Sequence, residues 1–411
     1  MINYTLGCGD RFGYQGKAQL AAYIEAEKHG IKVCPVWNKS NREHMTVHTE
    51  PASLRVEADS AVNALGWTES YFVDADHISL GNVDGFIDSS DFFTLDVADN
   101  IGETATPTDV EAFVLSSADY TGTIELPGLS ERFSVTEDDI RLIAAQYLSA
   151  VQEAGRIYRH IAACKDGQFA VEVSMDETDK PQTPVEMLFI LAMIAQEEIP
   201  VDTIAPKFSG RFNKGVDYVG DAAQFEKEFE QDVAVLRFAS EQFGLKQNLR
   251  LSVHSGSDKF AIYPAMNRVI KKYSAGLHVK TAGTTWLEEV IGLAEAGGDG
   301  LTVAKKIYTG ALGRYDELAK PYASVIDIDP ELLPSAETVN SWTSEKYVNT
   351  LRHEQSCPDY NPGFRQLVHV AYKVAYELRD EYFEALEKHS AIVSRNVTHN
   401  LLNRHLLPLF H

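Results

Sequence analysis

The feature that most constrains the fold is a repeated alternation of short β-branched segments with longer helical patterns. Eight segments have the composition of strands, and their nearly continuous apolar runs are typical of parallel strands buried on both faces. The predicted strands are 3–9, 32–38, 71–78, 91–99, 169–176, 202–212, 249–256 and 276–283. This alternation predicts an α/β fold, a TIM-like (β/α)8 barrel in which the C-terminal ends of all strands face one mouth.

Helical patterns lie between these segments, at 16–29, 52–66, 137–164, 184–198, 221–243, 263–275 and 284–297. The connection 79–90 is short and is predicted to lack a full helix. We expect 1–300 to form a barrel domain with an insertion near the mouth at about 100–136. We expect 301–411 to form a helical extension packed on the barrel, with helices at 343–355, 363–389 and 395–407. A doubly wound open sheet is the alternative architecture.

Charge and hydropathy limit the partners. The chain has 411 residues and a formal net charge of −23, which disfavours nucleic acid and anionic membrane surfaces as partners. The most apolar stretch, 186–196, is too short to span a bilayer, and the N-terminus has no targeting pattern. We therefore expect a cytoplasmic protein with no membrane or nucleic-acid partner, and an oligomer stays open.

Three predicted strands end in a histidine: His77 in YFVDADHI, His254 in LRLSVHSG and His278 in GLHVKTAG. In a parallel barrel these side chains would converge at the mouth. One histidine after an apolar run is usually a core residue, but three at strand ends favour a catalytic divalent metal site. Zinc is the metal we expect, and manganese, nickel, cobalt and iron are the alternatives.

Carboxylates next to the predicted metal ligands could transfer protons. Asp76 directly precedes His77 and is our first choice for the base, with Asp176 and Glu177 after the fifth strand as reserves. The alternative interpretation is that Asp74 and Asp76 cap the following turn and that His77 lies in a surface loop.

Several motifs resemble the tagaturonate/fructuronate epimerase family, from about residue 70 to the C-terminus. They are DADHI (74–78), FIDSSDFFTLDVADNIG (86–102), KFSGRFNKGVDYVGD (207–221), LSVHSGSDKFAIYP (251–264) and GLHVKTAGTTWLE (276–288). The resemblance implies metal-dependent interconversion of two 2-keto-hexuronates that differ at C4. The order of site residues also resembles that of class II metal-dependent aldolases, which use an Asp-His pair after strand three and histidines of strands seven and eight. Because C4 is not adjacent to the C2 carbonyl, we expect retro-aldol cleavage between C3 and C4 followed by re-addition.

A sugar-acid substrate needs cationic and N–H groups for its carboxylate. Candidates follow strands six, seven and eight, although a solvated surface charge is the simpler interpretation of any single Lys or Arg. Arg352, His353 and Arg365 could also reach over the mouth, with helix-end interactions as the alternative. The predicted substrate-binding residues are Lys207, Arg211, Ser255, Ser257, Lys259, Lys280 and Thr281.

Other functions stay open. A class II-type aldolase, a 4-epimerase acting on a neutral ketohexose and a non-catalytic sugar-acid sensor are the alternatives to a hexuronate epimerase. The segment GCGDRFG (7–13) mimics a Gly-rich dinucleotide loop, but the second strand ends in Asn38-Lys39-Ser40 without an acidic residue for a ribose. We therefore expect no nicotinamide cofactor.

Overall fold

A computed structural model describes residues 2–176, 178, 180–255, 258–281 and 283–411. Eight strands close into a parallel barrel in the order β1-β10-β9-β8-β7-β4-β3-β2, and β5 and β6 form a separate antiparallel hairpin. The strands are β1 Tyr4–Gly9, β2 Cys34–Ser40, β3 Phe72–Ile78, β4 Phe92–Asp96, β5 Gly122–Glu125, β6 Arg132–Val135, β7 Ala170–Ser174, β8 Thr203–Ala205, β9 Arg250–His254 and β10 Leu277–Thr281. The predicted barrel is confirmed, and the open sheet is wrong because β10 pairs with β1.

The helices of the barrel layer follow the predicted pattern closely. Side chains at their N-termini account for several starts: Thr136 with Asp139, and Thr183 with Glu186, form capping boxes. Between β3 and β4 the described chain has only a 3-10 turn, Val83–Gly85. The helices up to residue 296 are α1 Gly16–Lys28, α2 Asn41–Val47, α3 Pro51–Leu65, α4 Pro107–Ser116, α5 Glu137–Cys164, α6 Pro184–Gln196, α7 Ala222–Phe243, α8 Tyr263–Tyr273 and α9 Thr284–Ala296.

The segment 100–136 lies along the outside of the helical layer rather than near the mouth. Its helix α4 places Phe113 against Phe189 of α6, and Tyr120 contacts Phe243 at the end of α7. The loop of the β5–β6 hairpin also lies on the helical layer, where the Tyr273 hydroxyl at the end of α8 donates to the Gly128 carbonyl at 3.1 Å. The expectation that this segment borders the mouth is therefore wrong.

The C-terminal residues are helical and contact the barrel at several points. The predicted helix 363–389 is divided, and its second break falls at Arg379, which has a left-handed φ of 51°. Trp286 of α9 donates its indole N–H to the Val368 carbonyl at 2.9 Å, and Tyr4 contacts Phe410. The helices here are α10 Gly298–Gly313, α11 Tyr315–Ala319, α12 Ala336–Asn340, α13 Ser344–Leu351, α14 Pro362–Val370, α15 Tyr372–Glu377, α16 Asp380–Lys388, α17 Ser390–His399, a π-helix at Asn400–Leu406 and α18 Leu407–Phe410.

The inside of the barrel holds a small apolar cluster among polar side chains. Val36, Phe92 and Ala170 form a small apolar cluster within it. Gly7 leaves space for polar side chains, since a Cβ there would lie 3.2 Å from Asn38 Oδ1 and 3.3 Å from Lys280 Cα. Among the described residues, no helix has the length and apolar character needed to cross a membrane.

Candidate active site

Strand register decides which side chains face the inside of the barrel. Thr5 of β1 pairs with His278 of β10, and His254 of β9 pairs with Lys280. Because side chains alternate along a strand, every second residue from these positions points inward. The polar residues that share this inward register are Thr5, Asn38, Ser40, Asp74, Asp76, Thr94, Asp96, Glu172, Ser174, Thr203, Arg250, Ser252, His254, His278 and Lys280.

His77 reaches the mouth through a bulge in β3. Simple alternation would send its side chain outward, opposite to Asp76. The register between β3 and β4 shifts between Ala75 and Ile78, and His77 has a left-handed φ of 52°. Such a bulge redirects a side chain, and His77 Nδ1 lies 3.2 Å from Asp96 Oδ2.

Three side chains at the mouth form a group that could hold a metal ion. Potential ligand atoms of His77, Asp176 and His254 all lie within 4.8 Å of one another. The Asp176 carboxylate is held by the Ser174 hydroxyl at 2.6 Å and lies 3.2 Å from His254 Nδ1. Burial disfavours the charged imidazolium of His254, but Asp176 and Glu172 outweigh it and raise the pKa of His254 to about 10.

A buried charge cluster centred on Lys280 adjoins this group. Its Nζ lies 2.7 Å from Asp74 Oδ2, 2.8 Å from Asp76 Oδ1 and 3.1 Å from Glu172 Oε1, and it also contacts the Thr94 hydroxyl. Burial would raise the pKa of Asp76, but Lys280 holds it below its usual range. Burial raises the pKa of Asp74 to about 7 despite Lys280. The interpretation of Asp74 and Asp76 as turn caps is wrong, because both are buried inside the barrel.

His278 lies inside the barrel and does not join the histidines at the mouth. It is fully buried, its Nδ1 is 2.7 Å from the Thr5 hydroxyl, and its ring contacts Phe92. Burial lowers its pKa to about 3, so the imidazole is neutral. Because it lies two residues before Lys280 on β10, it falls beneath the charge cluster. The predicted metal-binding role of His278 is therefore wrong.

Three predicted substrate contacts are used within the protein. The hydroxyls of Ser255 and Thr281 donate to the backbone carbonyls of Lys280 and Gly7, at 2.7 and 2.8 Å. Lys259 is fully buried and donates to the carbonyls of Asn213 and Val216. These side chains hold the strand ends and loops together, and the structure does not present them to a ligand.

The remaining predicted substrate-binding residues lie in different environments. Arg211 is half exposed and pairs with Asp327 at 3.0 Å, away from the charge cluster. Lys207 is half-buried after β8, and its backbone N–H donates to Gln182. Lys280 lies in the charge cluster described above. Glu177 and Ser257 lie outside the described residues.

The C-terminal extension is anchored to the loop after β9 through Asp258. Arg365 Nη2 lies 2.8 Å from Asp258 Oδ2, and His353 and His405 each contact the same carboxylate at 3.1 Å. Arg352 instead contacts Asn396, at 2.7 Å. The prediction that Arg352, His353 and Arg365 reach a substrate is therefore replaced by an anchoring role for two of them.

The sequence analysis did not identify Asp96 or Asp258 as site residues, and although Glu172 stands among the acidic residues near strand five, its contact with His254 was not foreseen. Alternation within their strands could have assigned Asp96 and Glu172 to the inside of the barrel. It could not have shown that Glu172 Oε1 accepts from His254 Nε2 at 2.8 Å, because the two strands are not adjacent. No local signal distinguishes Asp258 from a loop residue.

Comparison with known proteins agrees with this architecture. The UxaE tagaturonate epimerase family model matches residues 1–409. A tagaturonate/fructuronate epimerase of Thermotoga maritima is 27% identical over 422 residues, covering 98% of this chain and 80% of the relative. The crystal structure of fructuronate-tagaturonate epimerase UxaE from Cohnella laeviribosi has the same fold, with a TM-score of 0.81 at 24% identity over 99% of this chain and 81% of that one. The match to the family model over nearly the whole chain shows that this protein belongs to the tagaturonate epimerase family.

Proposed function

We propose that the protein is a metal-dependent hexuronate C4-epimerase that interconverts tagaturonate and fructuronate. The family match over residues 1–409 supports the reaction, and the relative from Thermotoga maritima bears the name of both sugars. The observation that carries the proposal within this chain is the meeting of His77, Asp176 and His254 at the barrel mouth. A soluble sugar acid is the partner we propose.

The donor set fits a divalent metal. Two imidazoles and one carboxylate, with an open position, suit catalytic zinc, and they also suit manganese, nickel, cobalt and iron. Glu172 holds His254 Nε2, and Asp96 holds His77 Nδ1, so His254 Nδ1 and His77 Nε2 remain to bind the ion. His254 Nδ1 is buried and lies 3.2 Å from the Asp176 carboxylate, the third member of the donor set. When bound, the ion would polarise the substrate carbonyl and stabilise developing negative charge.

The proposed reaction breaks and re-forms the C3–C4 bond. A base removes the C4 hydroxyl proton, C4 becomes an aldehyde carbon, and the C3–C4 electron pair moves into an enolate over C2 and C3. The aldehyde then rotates, C3 attacks its other face, and the proton returns to the C4 oxygen. We propose Asp76 as the base, with Glu177 as the alternative. Lys280, 2.8 Å from Asp76 Oδ1, keeps this carboxylate ionised and oriented.

Asp176 has a changed role in this proposal. It was predicted as a reserve base, but its position 3.2 Å from His254 Nδ1 supports a metal ligand instead. We further propose that 1–300 is the catalytic barrel and 301–411 its supporting extension, since Asp258 and three extension side chains join the two.

Proton NMR of tagaturonate in D2O tests the proposal. We expect fructuronate to accumulate, activity to disappear with chelator and return with metal, and C4 to keep its original hydrogen. Deuterium at C4 would exclude the retro-aldol route. Its incorporation requires that the C4–H bond breaks, whereas retro-aldol cleavage leaves that bond intact. Persistent three-carbon products would indicate an aldolase, and binding without turnover would indicate a sensor.

An Asp76→Asn variant tests the proposed base. Full turnover by this variant when it is loaded with metal would show that Asp76 is not the base.

A further inference from the structure

The N-terminus of α9 lies at the barrel mouth, directly after β10. Its N-cap is Gly283, with φ +85° and no side-chain cap. The first N–H groups of a helix lack intrahelical acceptors and carry the positive end of the helix dipole, so they favour an anion. In barrels of this kind, the loops after the seventh and eighth strands and a helix N-terminus frequently bind phosphate. Here these loops follow β9 and β10.

Two buried nitrogen-bearing side chains meet at this helix end. A Cβ added to Gly283 would lie 2.3 Å from His369 Nε2 and 3.1 Å from Arg11 Nη2. His369 is 1% exposed and Arg11 is 5% exposed. His369 Nε2 and Arg11 Nε have no hydrogen-bond partner in the part of the chain that the structure describes. Buried polar atoms are costly to leave unpaired, and a ligand bound at this helix end would give these two nitrogens a partner.

Arg11 is held in a fixed orientation. Glu43 pairs with its Nη1, and the Tyr372 ring lies 4.3 Å from its Cζ, so the guanidinium plane is set before a ligand arrives. Burial and the nearby charges of Arg11 and Lys214 lower the pKa of His369 far below its usual range. A neutral imidazole can donate one hydrogen bond, and Arg11 supplies the charge.

We infer that Gly283, Arg11, His369 and the first turn of α9 bind the carboxylate of the substrate, and we call this group the Gly283 site. The inference rests on the proposed function and names the part of the protein that selects a uronate over a neutral ketose. β10 neighbours β9, which carries His254, so the Gly283 site and the metal group lie on adjacent strand ends. A sugar acid that bound at both would place its carbonyl end at the metal group and its carboxylate at the Gly283 site.

Arg11→Gln tests the inference by separating carboxylate binding from sugar binding. The experiment measures the KM of tagaturonate and the inhibition constant of tagatose, a neutral ketose without the carboxylate, as a competitor. We expect the KM to rise about 10- to 100-fold, as for the loss of a charge-assisted hydrogen bond, with the tagatose constant unchanged. Arg237→Gln is the matched control, because Arg237 is exposed on α7 and its ion pair with Glu241 is long, at 3.8 Å. It should keep the wild-type KM.

Gly283→Ala is the second variant, should Arg11→Gln not fold. Its Cβ would clash with His369 Nε2, and the same selective loss of tagaturonate affinity is expected. An unchanged KM, or an equal rise in the KM and in the tagatose constant in folded variants, would overturn the inference. If wild-type protein does not turn over tagaturonate, the proposed function fails on its own. Calorimetric affinities of wild type and variants for the two sugars then still test the Gly283 site: selective loss of tagaturonate binding supports it, and equal binding overturns it.

Discussion

Each imidazole of the proposed metal group has one nitrogen held by a carboxylate. Glu172 accepts from His254 Nε2, and Asp96 contacts His77 Nδ1. These contacts select the ring nitrogen that faces the ion, which is a common function of side chains behind metal ligands. Lys280 in turn compensates the charge of Glu172 at 3.1 Å. At the residue scale, the site is a chain of charge pairs from the barrel interior to its mouth.

His254→Ala and His278→Ala distinguish the metal group from the interior. We expect His254→Ala to weaken metal binding by at least about tenfold, since it removes a ligand. His278→Ala should keep the metal and lower only the melting temperature, because that ring contacts Thr5 and Phe92. For both variants, elemental analysis after dialysis measures the metal content, and thermal unfolding measures the melting temperature. Metal loss in the His278 variant alone would contradict the assignment.

Glu288 gives stability a specific pH dependence. Burial raises its pKa to about 7 from 4.5, so the folded state binds this proton more tightly than the unfolded state. Its stability contribution is therefore lost as pH rises from about 4.5 through 7. Glu288→Gln does not titrate, and its unfolding free energy relative to wild type should rise by about 2 kcal/mol between pH 5 and pH 8. Urea unfolding at both pH values measures this, and a constant difference would contradict it.

Two local deviations decide how the elements serve the site. The bulge in β3 turns His77 towards the mouth, which a regular strand would not do. Asp258 anchors the chain after β9. Its carboxylate contacts Arg365 of α14, His405 of the π-helix and His353. A π-helix often marks a functional position. Here it lets the C-terminal segment fix the loop that follows His254.

Asp258→Asn should destabilise the protein strongly, because Arg365 would remain fully buried without a counter-charge. Breaking one side of a buried pair costs about 3–5 kcal/mol. Asp299→Asn is the control: Asp299 also pairs with a lysine and a histidine, Lys388 and His389, but at the surface. We expect no measurable change in that variant. Equal unfolding free energies for the two variants, by urea denaturation, would refute the anchoring role.

At the scale of the whole molecule, barrel and extension share one hydrophobic core. A single cluster of buried residues includes Leu6 of β1 and Phe410 of α18, and Trp286 of α9 bonds to Val368 of α14. The alternation of strands and helices ends near residue 300, but the hydrophobic packing continues across this boundary. Interfaces this apolar couple the unfolding of the parts they join.

We expect barrel and extension to unfold in one transition. Far-UV circular dichroism follows the helices of both parts, and differential scanning calorimetry counts the transitions. A protein with the chain ended at residue 399 lacks the buried Leu401, Leu406 and Leu409, and it should melt at a lower temperature. Two separate heat-absorption peaks in the intact protein would show that the extension is an independent unit.

Local pattern was enough for much of this protein. Apolar runs and helical periodicity predicted eight strands and their helices, because burial imposes a distinct period on each element. The positions of His77, His254 and Asp176 at strand ends followed from the shared direction of parallel strands. The Asp10 carboxylate accepts the N–H groups of Phe12, Gly13 and Gln15. The Gly-rich segment that mimics a dinucleotide loop thus already holds an anion of its own.

The rest depended on contacts that are distant in sequence. Periodicity says which side of a strand a residue occupies, but the stagger of neighbouring strands sets its height in the barrel. His278 and His254 look equivalent in sequence, yet only His254 reaches the mouth. The partners of Lys280 come from β3 and β7 across the barrel, and Arg11 and His369 meet only after the C-terminal segment has packed on the mouth. Burial and alternation are local properties and are written in the sequence, whereas height, cross-barrel pairing and the approach of the extension arise only when the barrel closes.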